Sequence, residues 1–220
     1  MTEVLVRQLG LQAYEPTWKK MQAYTESRQA DSADEIWLLQ HPPVLTLGLN
    51  GKPEHILNKG NIPVVEIDRG GQVTYHGPGQ LVVYCLLDLK RRKLGVRQVV
   101  SALENSVIDY LASQGVVASA RKDAPGVYVD GAKISALGLR VRRGCCYHGL
   151  SLNIDMDMSP FKQINPCGYE DLPVTQLKDL SVEQDINAVA KDLLPRLMQQ
   201  LSIDSYTMVE NVESLNTGVR

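Results

Sequence analysis

A chain of 220 residues is long enough to bury a core without disulfide or metal staples. Its formal net charge of −2 lacks the basic footprint of a general nucleic-acid binder. No apolar run approaches the ~20 residues that span a bilayer, and Met1 through Arg7 lacks the order of a secretory signal. The expectation is a cytoplasmic protein, without membrane or nucleic-acid partner, whose four cysteines stay reduced.

Tyr14 to about Gln29 reads as a surface helix. Glu35 to Gln40 reads as a strand stopped by His41-Pro42-Pro43, and Val44 to Leu49 as the next. Gly51 to Gly60 reads as loop. Pro63 to Asp68 and Leu81 to Leu87 read as strands joined by a glycine-rich crossing. Val96, Val99, Val100, Leu103, Val107 and Leu111 form one stripe at helical spacing, predicting a helix from Val96 to Gln114 closed by a left-handed Gly115. Ser181-Val182-Glu183-Gln184 matches a capping box for a helix toward Leu201, with a kink or break near Leu194 imposed by Pro195. These alternating signals predict an α/β (α+β) architecture, a mixed sheet flanked by helices. Residues 1–178 are expected to form the core, with 179–220 a C-terminal helical segment packed on it as one domain.

Asp130-Gly131 lies between Gly126-Val127-Tyr128-Val129 and Ala132-Lys133-Ile134-Ser135, a strong hairpin signal because a type I′ turn needs positive φ at both central residues. Lys133 should then sit opposite Tyr128. Alternation puts Lys133, Ser135, Leu137, Leu139 and Val141 on one face, and Ile134, Ala136, Gly138, Arg140 and Arg142 on the other. The arginines take the watery face, which leaves Lys133 in phase with the apolar one. Burial there would disfavour its charged form and make it usable as a base. The alternative is a lysine that snorkels from the turn to water, and the pattern alone leaves both open.

The segment Arg69 to Gln80 holds four glycines, which allow close approach of backbone to a ligand. It is neither a P-loop nor a dinucleotide fingerprint. Arg69, Tyr75 and His76 favour a binding loop over a plain hairpin loop. Asn165-Pro166-Cys167-Gly168-Tyr169 sets a thiol between turn formers, where it is accessible and where Gly168 leaves room for a reacting carbonyl. Cys85, inside an apolar strand, reads as packing. Cys145 and Cys146 follow Arg142-Arg143-Gly144, and basic neighbours that lower a thiol pKa would make them rivals to Cys167. Their adjacency lacks zinc-site spacing, and no metal is expected. Alternation groups His148 with Cys146, Leu150, Leu152 and Ile154 as a core histidine, leaving His76 the better candidate. The basic clusters Lys90 to Lys93 and Arg140 with Arg142-Arg143 read as solvated surface, or as a landing place for an acidic partner.

Three stretches together resemble the lipoyl-protein octanoyltransferase family: Arg69 through Gln80, Lys133 through Gly138 with Arg142-Arg143-Gly144 and His148-Gly149, and Asn165-Pro166-Cys167-Gly168. The likeness runs from near the N-terminus to about Tyr169 and fades beyond Thr175. It implies the fold of biotin and lipoate protein ligases, related to class II aminoacyl-tRNA synthetase cores. It implies an acyltransferase that moves octanoyl from acyl carrier protein, through a cysteine thioester, to a lysine of lipoyl domains, in 2-oxoacid dehydrogenases and the glycine cleavage H protein. Cys167 would be the nucleophile, and Lys133 would lower its pKa and act as acid and base. Substrate contacts would fall on Arg69, Gly70, Gly71, Gln72, Val73, Thr74, Tyr75 and His76, on Ala136, Leu137 and Gly138, and on Gly149, Leu150 and Ser151. No cofactor and no ATP would be needed, since passage from thioester to amide runs downhill. The doubled Cys145-Cys146 departs from the family pattern. An ATP-dependent ligase of the same fold, a non-catalytic binding module and a thioesterase are the alternatives.

Overall fold

The sequence's longest apolar run becomes the middle of a sheet. Gln80–Asp88 is buried along nearly its whole length, as a strand covered on both faces must be. The computed structural model describes residues 4–169 and 172–209. Its strands are β1 (Val4–Leu11), β2 (Asp34–Gln40), β3 (Val44–Leu47), β4 (Val64–Glu66), β5 (Val73–His76), β6 (Gln80–Asp88), β7 (Ser119–Ala120), β8 (Gly126–Val129), β9 (Ala132–Arg142), β10 (Cys145–Asn153) and β11 (Thr207–Val209). Eight of them form a mixed sheet in the order β11-β1-β2-β6-β10-β9-β8-β7, and β4-β3-β5 form a second, smaller one. The helices are α1 (Tyr14–Ser27), α2 (Leu89–Arg92), α3 (Val96–Ser113) and α4 (Ile186–Gln200).

One face of the large sheet is covered by α3 and α4. Val99, Leu103, Val107 and Leu111 bury there as their spacing predicts, whereas Val96, in the first turn, is exposed. Gly115 is left-handed, with φ +78°. The capping box at Ser181 does not form: Ser181 closes a 3₁₀ turn over Leu177–Leu180 with φ 56°. Asp185 caps α4 instead, its carboxylate accepting from the Ala188 N–H at 2.8 Å. Pro195 does not break α4. It is exposed, so water can reach the carbonyl it leaves unpaired, while Val189, Leu193, Leu194 and Leu197 hold the helix on the core. The other face of the sheet carries α1, whose Met21 packs among Trp37, Tyr84 and Tyr147. Residues 210–220 of the expected C-terminal segment lie outside the described residues.

The glycine-rich crossing is not all loop. Its Val73–His76 stretch pairs antiparallel with β3 from Val44↔His76 to Leu47↔Val73 and completes the small sheet. That sheet packs through Leu45, Tyr75 and Phe161 into a core of its own.

Two local irregularities overturn the strand phases drawn from alternation. Asp130 and Gly131 have φ 49° and 82°, and Tyr128 pairs with Lys133 as the hairpin requires. The next pair is Val127↔Ser135, so Ile134 is an extra residue in β9. Ile134 joins Val127 and Val129 in the main core. Lys133 therefore lies on the opposite side, with Gly126, Tyr128 and Ala136. The lysine is buried, at 3% exposure, but not on the apolar face. In β10, His148 adopts φ 63°, which takes its ring out of phase with Leu150 and stacks it on Tyr147 at 5.0 Å.

Candidate functional site

A narrow cleft, open to solvent, runs between the small sheet and the face of the large sheet that carries α1. One wall is the segment after β4: Arg69, Gly71, Gln72, Val73, Thr74 and His76. The floor is Ala136, Leu137 and Gly138 of β9, with Gly149, Leu150 and Ser151 of β10. Two of the residues expected to touch substrate do not line it. Tyr75 points the other way, edge-on to Phe161 at 5.5 Å, and Gly70 ties the segment to β9 by donating to the Leu139 carbonyl at 3.0 Å. Arg69 is spent on architecture as well as lining. Its Nη2 donates to the Thr46 carbonyl and hydroxyl at 2.9 Å, and Nη1 to the Gly70 carbonyl. Gly138 lies close against this segment: a Cβ there would sit 3.0 Å from Arg69 Cδ and 3.1 Å from the Gly70 carbonyl oxygen, so one of them would have to shift.

Thr74, Ala136 and Ser151 also border a smaller neighbouring space lined by Lys133, Phe161, Pro166 and Val174. Lys133 Nζ donates to the Pro125 carbonyl at 3.0 Å and lies 5.3 Å from the centre of the Tyr128 ring. Its backbone is stitched to the chain that follows Cys167: the Lys133 N–H donates to Pro173 O at 2.8 Å, and Thr175 N–H to Lys133 O at 3.0 Å. Cys167 itself sits in a 3₁₀ turn, Pro166–Gly168, anchored where the Asn165 N–H donates to the His55 carbonyl at 2.8 Å. Its side chain lies outside the described residues.

The rival thiols fall away. Burial raises the pKa of Cys145 and pushes Cys146 up to about 12, outweighing the basic neighbours; burial also raises Cys85 well above the ordinary thiol value. Arg91 and Arg92, half of one expected docking cluster, are turned inward onto the fully buried Asp34 together with Arg28.

Sequence reading missed the buried polar end of the cleft. His148 Nε2 lies 3.1 Å from Asp68 Oδ1. Burial alone would raise the Asp68 pKa, but donation from His148, Tyr147, Gln22 and Trp18 holds it well below the usual carboxylate range. Burial lowers His148, so its ring is neutral at neutral pH. His76 is held at about 3 and His41 at about 4, burial being the largest cause in each. His41 bridges the Gln12 carbonyl at 2.7 Å and the Tyr84 hydroxyl at 2.8 Å. The left-handed φ at His148 carried no sequence signal, and Asp68 closed a strand with nothing to mark its four donors.

This fold, a large mixed sheet flanked by helices, is that of the lipoate and biotin protein ligase class of structures. The family model of the lipoyl protein ligase A/B catalytic domain matches residues 13–198. A putative lipoate protein ligase of T. acidophilum with bound lipoic acid superposes with a TM-score of 0.76 over 98% of this chain and 93% of its own, at 17% identity. Biotin protein ligase from Aquifex aeolicus does so at 0.54, over 92% of this chain and 70% of its own, at 14% identity. Within that class the chain belongs to the octanoyltransferase family, acyltransferases that move octanoyl groups. It is 57% identical to the octanoyltransferase of Chromobacterium violaceum, over 92% of this chain and 98% of that one. It is 61% identical to that of Methylococcus capsulatus, over 90% and 95%.

Proposed function

We propose that Cys167 takes octanoyl from the pantetheine thioester of acyl carrier protein and passes it to a lysine of a lipoyl domain, with Lys133 carrying the proton. The supporting observation is one space lined by Lys133 and Pro166, the residue before Cys167, which shares Thr74, Ala136 and Ser151 with the apolar-floored cleft. The Cys167 sulfur gives its proton to Lys133 and attacks the thioester carbonyl. Collapse of the tetrahedral intermediate breaks the bond to the pantetheine sulfur, which leaves with a proton from Lys133. The acceptor amine then attacks the acyl-cysteine, loses a proton to Lys133, and the amide departs as Cys167 recovers its thiol. A free lysine must lose its proton first, which at neutral pH costs about 4–5 kcal/mol, so a positioned base is needed for the second half. The acceptors are the lipoyl domains of 2-oxoacid dehydrogenases and the glycine cleavage H protein. Free, buried Cys85, Cys145 and Cys146 fit a reducing cytoplasm. Among the described residues, no helix is long and apolar enough to cross a membrane.

Intact-mass analysis after mixing with octanoyl-carrier tests this. The expected result is one octanoyl adduct, mapped to Cys167, lost in Cys167→Ser and discharged onto a lipoyl domain. An adduct elsewhere, or ATP-dependent use of free octanoate that survives Cys167→Ser, overturns it.

A further inference from the structure

Among the residues lining the cleft, His148 holds a buried hydrogen-bond acceptor without a partner. Asp68, held ionised by its four donors, can only accept, so His148 Nε2 must carry the proton it presents to Asp68. That fixes the tautomer and leaves Nδ1 a bare acceptor. The ring lines the cleft, is 1% exposed, and its Nδ1 has no hydrogen-bond partner. Neighbouring polar groups are engaged elsewhere: Tyr84 with His41, and His76 Nδ1 with Gln80 at 2.7 Å. A left-handed backbone at a buried, non-glycine residue is strain of the kind retained where a site needs it.

Position gives this acceptor a role. Ser151 borders both the cleft and the space that holds Lys133, so it marks the reacting end. His148 is three residues away along β10, about 10 Å of extended chain and close to the length of an extended eight-carbon acyl group. We infer that His148, oriented by Asp68, is the end-stop of the acyl cleft: it accepts chains up to eight carbons and rejects longer ones unless they end in a hydrogen-bond donor. Nδ1 is already dry, so a methyl packed against it leaves it unsatisfied, whereas a terminal hydroxyl supplies the hydrogen bond it lacks. The inference rests on the acyl chain of the transfer reaction lying in this cleft. It extends the substrate class to ω-hydroxyacyl thioesters.

Nonanoyl and 8-hydroxyoctanoyl chains have the same number of heavy atoms and differ only in a terminal CH₃ against OH. Their carrier thioesters, compared with octanoyl-carrier in kcat/KM, decide the matter in the unmodified enzyme. The expected result is a preference of about 10-fold for 8-hydroxyoctanoyl over nonanoyl. In His148→Phe, which keeps a ring on Tyr147 and removes the acceptor, that preference should vanish or invert. Should His148→Phe not fold, the unmodified enzyme's ratio decides alone. Octanoyl transfer at full rate with nonanoyl equal to or better than 8-hydroxyoctanoyl overturns the end-stop and leaves the thioester route standing; so does an unchanged preference in His148→Phe. Absence of any acyl-Cys167 adduct overturns the route itself.

Discussion

A Cβ on Gly126 would lie 2.5 Å from Cε and 3.0 Å from Nζ of Lys133. The glycine has φ +149°, a conformation that side chains rarely adopt, and its N–H is held by Glu104 Oε1 at 3.0 Å. Gly126 is thus the space in which the lysine side chain lies. Gly126→Ala should displace Nζ from the Pro125 carbonyl and lower kcat/KM by about 100-fold, since an ångström of misplacement is enough. The strained backbone should lower stability by about 1–3 kcal/mol. Steady-state kinetics beside urea unfolding separates the two effects; normal turnover would show that the Lys133 position tolerates the methyl.

Asp34 presents a different constraint. Its fully buried carboxylate receives Arg28, Arg91 at 2.8 Å, Arg92, and the Asp88 N–H at 2.8 Å. Removing one partner of a buried ionic cluster leaves uncompensated charge, so Asp34→Ala should destabilise the fold by about 3–5 kcal/mol. Urea unfolding checks it, and a loss under 1 kcal/mol would mean that the three guanidiniums find water. The cluster also limits any test of carrier docking to Lys90 and Lys93. Neutralising Arg91 or Arg92 would confound binding with stability.

How much of this could be read in advance depended on whether the signal was local. The α3 stripe and the Asp130-Gly131 turn were legible, because spacing or turn chemistry fixes each within a few residues, whereas the residues around the cleft were named only through the family resemblance. The pattern left Lys133 open between burial and snorkelling; it is buried, at 3% exposure, but on the other face, because the extra Ile134 reverses the phase that alternation assumes. The same failure hid His148, whose single left-handed residue moves its ring from the core to the cleft. Asp68 was invisible as a site residue because its partners come from α1 and β10, far away in sequence. The capping box lost to Asp185, which also offers a carboxylate one turn before a buried stripe.

The three buried thiols should be silent. With burial raising all of them, brief alkylation of the folded enzyme near pH 7.5 should place one equivalent of iodoacetamide on Cys167. Cys167→Ser should slow labelling by roughly 100-fold or more, the remaining cysteines reacting only after unfolding. Peptide mapping reads the sites directly. Rapid labelling of Cys145 in the folded Cys167→Ser variant would restore it as a rival nucleophile.

The histidines around the cleft tie stability to pH. Burial holds His41 at about 4 and His76 at about 3, against 6.5 for an unperturbed ring. Between those values the unfolded chain binds protons that the folded chain refuses, so stability is full above pH 6.5 and is lost as pH falls toward 4 and then 3. From pH 7 to pH 5 the two groups together should remove roughly 4 kcal/mol. Asp68 does not interfere in this window. Its folded pKa is depressed, so its contribution is complete above the ordinary carboxylate value near 3.8 and declines only below it. Urea unfolding at pH 5, 6 and 7 measures the slope. His41→Gln, which can still pair with the Gln12 carbonyl, should flatten that slope, with His76 and His148 supplying what remains; an unchanged slope would assign the titration to other groups.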